Sequence, residues 1–170
     1  MINPVFSDAI FAAGAALGFS AVSNPPKKAL YIVPFVGACG HAFRYAMMNY
    51  LGLDIIFGSL LAAFLIGLIS TLCAFKVHCP SEVFSYPALL PMIPGLYAYR
   101  SLLGFIKFVQ VKNIDLKWSY VMEAMTNGIT AILILFALCV GVAIPLFIFY
   151  KQSFQMTRHG IYKTRNCNSL

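Results

Sequence analysis

Five apolar runs alternate with short polar stretches along the chain, at 5–24, 29–48, 55–75, 83–106 and 119–150. Each is long enough to cross a hydrocarbon core of ~30 Å, which takes about 20 helical residues. The pattern predicts an all-α integral membrane protein of about five transmembrane helices, forming one bundle over residues 1–150. The breaks are a tight turn at Asn24-Pro25-Pro26-Lys27-Lys28, then Asn49 to Asp54, Lys76 to Glu82, and Lys107 to Lys117, the longest loop. The last run is the most helix-like, because 128–149 contains no charge. Residues 151–170 read as a basic, flexible tail.

The fourth run departs from this regularity. Its middle reads Pro87-Ala-Leu-Leu-Pro91-Met-Ile-Pro94-Gly95-Leu-Tyr97-Ala-Tyr99. Each proline removes a backbone donor and clashes with the carbonyl one turn back, and Gly95 is free to take a positive φ. A single regular helix is excluded, so this span is expected to be broken or re-entrant. Irregular backbone at membrane depth survives only inside protein or along a wet cavity. At Pro94-Gly95 one half-helix would end and another begin, and the free N–H groups of a half-helix N-terminus attract anions.

Composition agrees with the pattern: 61% of residues are hydrophobic and 10% charged, against about 25% charged in soluble domains. The net charge of +7 is spread between the apolar runs rather than gathered on one face, which fits membrane orientation. No groove-reading motif is present, so nucleic acid is not an expected partner. The positive-inside rule discriminates two topologies. Five crossings with the N-terminus outside put Lys27, Lys28, Lys76, Lys151, Arg158, Lys163 and Arg165 inside, against Lys107, Lys112 and Lys117 outside. A re-entrant fourth segment moves those three lysines inside and the tail outside, a weaker bias. Five spans, N-terminus out and C-terminus in, is the expectation. The first run lacks a basic n-region and carries Asp8, so it is expected to be retained. No Cys-x-x-Cys pair occurs among the five cysteines, which reads as free, mostly buried thiols with neither a metal site nor a disulfide framework.

Candidate chemistry concentrates on the second run, Gly37-Ala-Cys-Gly40-His41-Ala-Phe-Arg44. His41 and Arg44 are three apart and share a helix face. Ionisable residues at depth normally face a cavity or a partner. Arg44 is permanently charged and forks onto carboxylates, while His41 exchanges a proton near neutral pH; the alternative for Arg44 is snorkelling towards Asn49. Asp8 either favours a helix N-terminus or carries a proton. Glu123 reads as solvated, and Asn127 as a hydrogen-bonding group at depth. Tyr97 and Tyr99 suit an interfacial belt or a ligand. Gly14-Ala-Ala-Leu-Gly18 is a small-xxx-small stripe, expected to serve packing inside this chain, with a partner chain as the sharper option. No HExxH, phosphate loop, Gly-x-Ser-x-Gly or close carboxylate pair occurs, so no enzyme activity and no cofactor are expected.

Gly37-x-x-Gly40-His41-x-x-Arg44, followed by Pro91-Met92-x-Pro94-Gly95-x-x-Ala98-Tyr99, resembles the threonine/serine exporter (ThrE) family. Asp8, Asn24-x-Pro26, Thr126-Asn127 and Pro145 fit the same pattern, so the resemblance covers nearly all the chain before the tail. Glu123, the Lys112-Asn-Ile-Asp115 stretch and the tail lie outside it. The small size resembles the membrane subunit of the family's two-component type. The resemblance implies half of a secondary exporter in the bacterial inner membrane, completed by a larger membrane subunit and open to higher oligomers. Family substrates are small carboxylates, either threonine and serine or succinate-like dicarboxylates, and export is coupled to protons. Substrate contacts are then expected from Arg44, His41, Pro91, Pro94, Gly95, Tyr99 and Asn127, and proton transfer from Asp8 or His41. The competing expectations are a non-transporting assembly subunit and a channel-forming oligomer.

Overall fold

The protein is described by a computed structural model over residues 4–77 and 79–149. The predicted tail at 151–170 lies outside the described residues. All secondary structure among the described residues is helical: α1 (Pro4–Val22), α2 (Lys27–Tyr50), α3 (Ile55–Val77), α4 (Glu82–Leu89), a 3₁₀ turn (Leu90–Met92), α5 (Gly95–Gln110) and α6 (Ile114–Ile148). The all-α architecture and the broken fourth run are as the sequence predicts.

A count of exactly five spans is not confirmed. Three helices are long and apolar enough to cross a membrane, Val5–Val22, Ile55–Val77 and Ile114–Ile148, and a fourth is reached if the pair Glu82–Met92 and Gly95–Gln110 forms one interrupted span. Five is not reached among the described residues because α2 falls short: it carries Lys27, Lys28, His41 and Arg44. The physical reason lies in its position. α2 packs against α1, α3 and α4, so neighbouring helices cover much of its surface and less of it has to match lipid.

The chain divides into two compact units, the first made of residues up to Met92 and from Ala137 onward, the second of Ile93–Phe136. In the first unit, α1 buries Ala12, Ala16 and Ser20, each four apart. α2 buries Ala29, Val33, Val36, Gly37, Gly40 and His41. α3 presents Ser59, Ala62, Ala63, Ile66, Gly67, Ser70 and Ala74 at the same period. Phe84 is the largest fully buried side chain and packs with Ala16, Ala29, Val33, Ala74 and Cys79. Small residues dominate because helices in lipid gain from close approach rather than from a hydrophobic drive. A Cβ on Gly141 would stand 2.6 Å from the Leu60 carbonyl oxygen, and one on Gly67 3.0 Å from that of Val142, so α3 and the end of α6 run nearly in backbone contact. The Gly14–Gly18 stripe does not serve this packing. Among the described residues, no neighbouring helix comes within 4 Å of a Cβ built on either glycine, because Ala12, Ala16 and Ser20 are the face of α1 turned inward.

The second unit is a helical hairpin. The Ser101 hydroxyl donates to the Ala124 carbonyl at 2.8 Å, and a Cβ on Gly104 would meet the Ala124 Cβ at 2.8 Å. The expected loop from Lys107 to Lys117 shrinks to residues 111–113. Asn113 caps α6 by accepting the Asp115 N–H at 3.0 Å, and the Lys107 and Lys117 ammonium groups each sit 5.4 Å over the Tyr120 and Phe108 rings respectively. Capping and cation–π contacts let charged residues complete the helix ends.

Candidate functional site

Gly37 and Gly40 build the geometry around His41 and Arg44. A Cβ on Gly37 would lie 2.8 Å from the Ala16 Cβ, so the bare backbone lets α1 close onto α2. One turn further along, that approach brings Asp8 to His41, with Oδ2 and Nδ1 3.3 Å apart. Gly40 plays the same part on the other side: a Cβ there would overlap the Ile66 side chain and stand 3.3 Å from the Met92 methyl. One turn beyond it, Arg44 reaches the 3₁₀ turn and donates from Nη1 to the Met92 carbonyl at 3.4 Å.

The broken segment explains why that carbonyl is available. The 3₁₀ turn ends at Met92, and Pro94 has no N–H with which to continue the ladder. Helix ends leave carbonyls without intrahelical partners, and Arg44 supplies one. A guanidinium has five N–H donors; Met92 is the acceptor Arg44 finds among the described residues. His41 is 5% exposed, and its Nε2 is buried with no hydrogen-bond partner among the described residues. Buried polar atoms are nearly always paired, so an imidazole nitrogen left over beside a partly free guanidinium is the feature that singles out this region. The Asp8 side chain remains 39% exposed. Asp8, His41, Arg44 and Pro91 all belong to the first unit.

Pro94, Gly95, Tyr99 and Asn127 belong to the second unit. Pro94 (φ −78°, ψ 58°) centres an inverse γ-turn in which the Gly95 N–H donates to the Ile93 carbonyl at 2.8 Å. Gly95 does not take a positive φ; among the described residues Asn24 (47°) and Gly52 (65°) do. The Ala98 N–H donates to the Pro94 carbonyl, which leaves the N–H groups of Leu96 and Tyr97 as the unpaired donors at the start of α5. Tyr99 is exposed. Asn127 donates to the Glu123 carbonyl of its own helix at 2.7 Å, which uses one of its two amide hydrogens. α6 is 35 residues long, about 52 Å at 1.5 Å per residue, and its uncharged part from 128 onward is by itself long enough for a ~30 Å core.

Sequence reasoning missed the Met92 carbonyl as the partner of Arg44. The signal was present: a residue preceded by Pro91 and followed two positions on by Pro94 sits where a helix must give up a carbonyl.

Over residues 8–148 the sequence matches the family profile described as "Threonine/Serine exporter, ThrE". An uncharacterised protein of Haemophilus influenzae is similar to it, 30% identical over 145 residues, covering 85% of this chain and 48% of that protein. The chain thus spans about half the length of this relative. No solved structure matches it. The profile match over most of the chain and an all-helical fold with helices long and apolar enough to cross a membrane agree: the chain belongs to the threonine/serine exporter family.

Proposed function

We propose that this chain is a membrane subunit of a secondary exporter that moves a small carboxylate, a threonine- or serine-type amino acid or a succinate-like dicarboxylate, out of the cell. Arg44 binds the carboxylate, with Pro91 as a further contact in the first unit; Pro94, Gly95, Tyr99 and Asn127 are candidate substrate contacts of the second unit taken by itself. His41 or Asp8 carries the coupling proton, and a larger membrane subunit completes the exporter in a bacterial inner membrane, with this chain's C-terminus on the cytoplasmic side. The observation that carries the reading is Arg44: among the described residues, a guanidinium with one protein acceptor, the Met92 carbonyl at the break, next to a buried His41 whose Nε2 has no partner there. Such a group is costly at membrane depth without a partner, and a carboxylate ligand supplies one with bidentate geometry.

The test is Arg44→Gln, with export of radiolabelled threonine, serine and succinate measured alongside the amount of protein in the membrane. The expected result is loss of export at unchanged membrane levels; unchanged flux refutes the site. Collapse of the proton gradient is expected to stop export, and flux that persists would instead favour a channel. A non-transporting assembly subunit is the second reading, favoured by the open face at Gly14 and Gly18. It requires leucine at Gly14 and Gly18 to break assembly while Arg44→Gln leaves flux intact.

A further inference from the structure

The tip of the second unit carries charge that its own residues do not balance. Where α5 ends and α6 begins, Lys107, Lys112 and Lys117 stand against one acid, Asp115; three cations and one anion leave +2. Among the described residues none of the three lysines forms an ion pair. Lys107 and Lys117 are half-buried instead, each laid from one helix across a ring of the other. Lys107 of α5 lies over Tyr120 of α6, and Lys117 of α6 over Phe108 of α5, both at 5.4 Å. A ring face engages one side of an ammonium group, and an ammonium has three N–H donors and no acceptor. Both groups are thus held in place with donors to spare, and Lys112 is exposed beside them in the short turn at 111–113.

The other residues of the tip do not suit a loop in water. Val109, Ile114, Leu116 and Trp118 are exposed among the lysines, Trp118 at 66%. Large apolar groups interleaved with cations fit the headgroup level of a bilayer. An indole there keeps its ring in apolar surroundings and its N–H wet, and lysine stems lie along apolar surface with the ammonium towards the phosphates. The Asn113 cap on the Asp115 N–H keeps the turn short, so the ends of both helices, and the cations they carry, stand at one level.

We propose that the tip of the α5–α6 hairpin is a docking site for the headgroups of anionic phospholipids, with Lys107 and Lys117 donating to the phosphate and Lys112 adding attraction from the turn. Selectivity follows from charge: a zwitterionic headgroup brings its own cation to a tip that already has an excess, whereas an anionic one brings the phosphate charge alone. A lysine close to an anionic surface contributes about fivefold in association. The inference stands apart from the reading of Arg44 and does not depend on it.

Trp118 is the single tryptophan of the chain, so its fluorescence reports this tip and nothing else. The purified full chain is placed in phosphatidylcholine vesicles. Lipid brominated near the headgroup end of its acyl chains, either phosphatidylglycerol or phosphatidylcholine, then replaces a rising fraction of the bilayer. Brominated phosphatidylglycerol is expected to quench Trp118 with about fivefold to twentyfold preference, falling steeply at high salt. Lys107→Gln with Lys117→Gln leaves Lys112 against Asp115, no net charge, and is expected to bring the preference to within about twofold of unity; arginine at both positions should keep it. Lysines that serve only to pack the hairpin would leave the preference unchanged in the glutamine pair, which overturns the proposal. The wild-type comparison and its salt dependence need no variant: equal quenching by the two lipids, or none by either, overturns it directly. Loss of the preference on adding inorganic phosphate would assign the tip to free anions and overturn the lipid site.

Discussion

Gly37 is the position where one methyl group tests how the site is assembled. A Cβ there would stand 2.8 Å from the Ala16 Cβ, whereas carbon atoms rest at about 3.5–4.0 Å. Gly37→Ala must therefore push α1 and α2 apart locally by about 1 Å, since both carbons are fixed to helical backbone and neither has a rotamer to escape into. The Asp8–His41 contact, already 3.3 Å long, lies one turn away and would be stretched out of hydrogen-bonding range. Overpacking of this kind costs about 1–3 kcal/mol, offset by up to ~1 kcal/mol because alanine favours the helix more than glycine does. The net change in the single variant is thus hard to interpret alone, and Ala16→Gly, which removes the opposing methyl, is the needed second arm. Helix-propensity contributions cancel in the double-mutant cycle, leaving an expected coupling of about 1–3 kcal/mol in favour of the pair. The assay is reversible unfolding of the purified protein in mixed micelles, with export measured in parallel. Stabilities that add to within ~0.5 kcal/mol would refute the claim that Gly37 exists to admit α1.

Further outcomes follow from the same close contacts. Gly141→Ala should destabilise by about 2 kcal/mol or more, as a small-to-large change against fixed backbone, because its Cβ would meet the Leu60 carbonyl oxygen at 2.6 Å. Gly95→Ala should leave stability within ~0.5 kcal/mol, as surface substitutions do, since nothing lies within 4 Å of a Cβ there and its φ is not positive; an unfolding series on the two variants checks the contrast. Ser101→Ala removes the bond to the Ala124 carbonyl, which keeps its place in the ladder of α6, and should cost about 0.5–1.5 kcal/mol, the net worth of one hydrogen bond, detected as faster amide exchange in α5 and in α6 around Ala124.

Much of this protein was legible in its sequence because bilayer chemistry is read along one dimension. Runs of apolar residues become helices wherever backbone groups have no water to bond, and Pro87, Pro91 and Pro94 had to interrupt the fourth run whatever surrounded them. The tight turn after Asn24 and the shared face of His41 and Arg44 follow from local geometry as well. A count of exactly five spans is not confirmed, since hydropathy along a chain does not report which helix will be covered by others. α2 carries charge that a lipid-facing helix could not, and only packing against α1, α3 and α4 makes that acceptable.

The tertiary structure decided pairings. Gly14–Gly18 and Ala12–Ala16–Ser20 are both small-residue stripes at helical spacing, and sequence alone cannot say which faces inward; the second does. That choice sets the register of α1 against α2, and the register sets Asp8 on His41. In the same way the composition of 107–117 suggested a long loop, while the Asn113 cap and the lysine–aromatic contacts drew most of it into helix. The sequence by itself determined the helices, the position of the break, and which residues could carry charge into the membrane. Only the folded arrangement decided that the carbonyl released at the break would meet Arg44, because that contact joins residues 48 positions apart and depends on how closely two glycines let their neighbours approach.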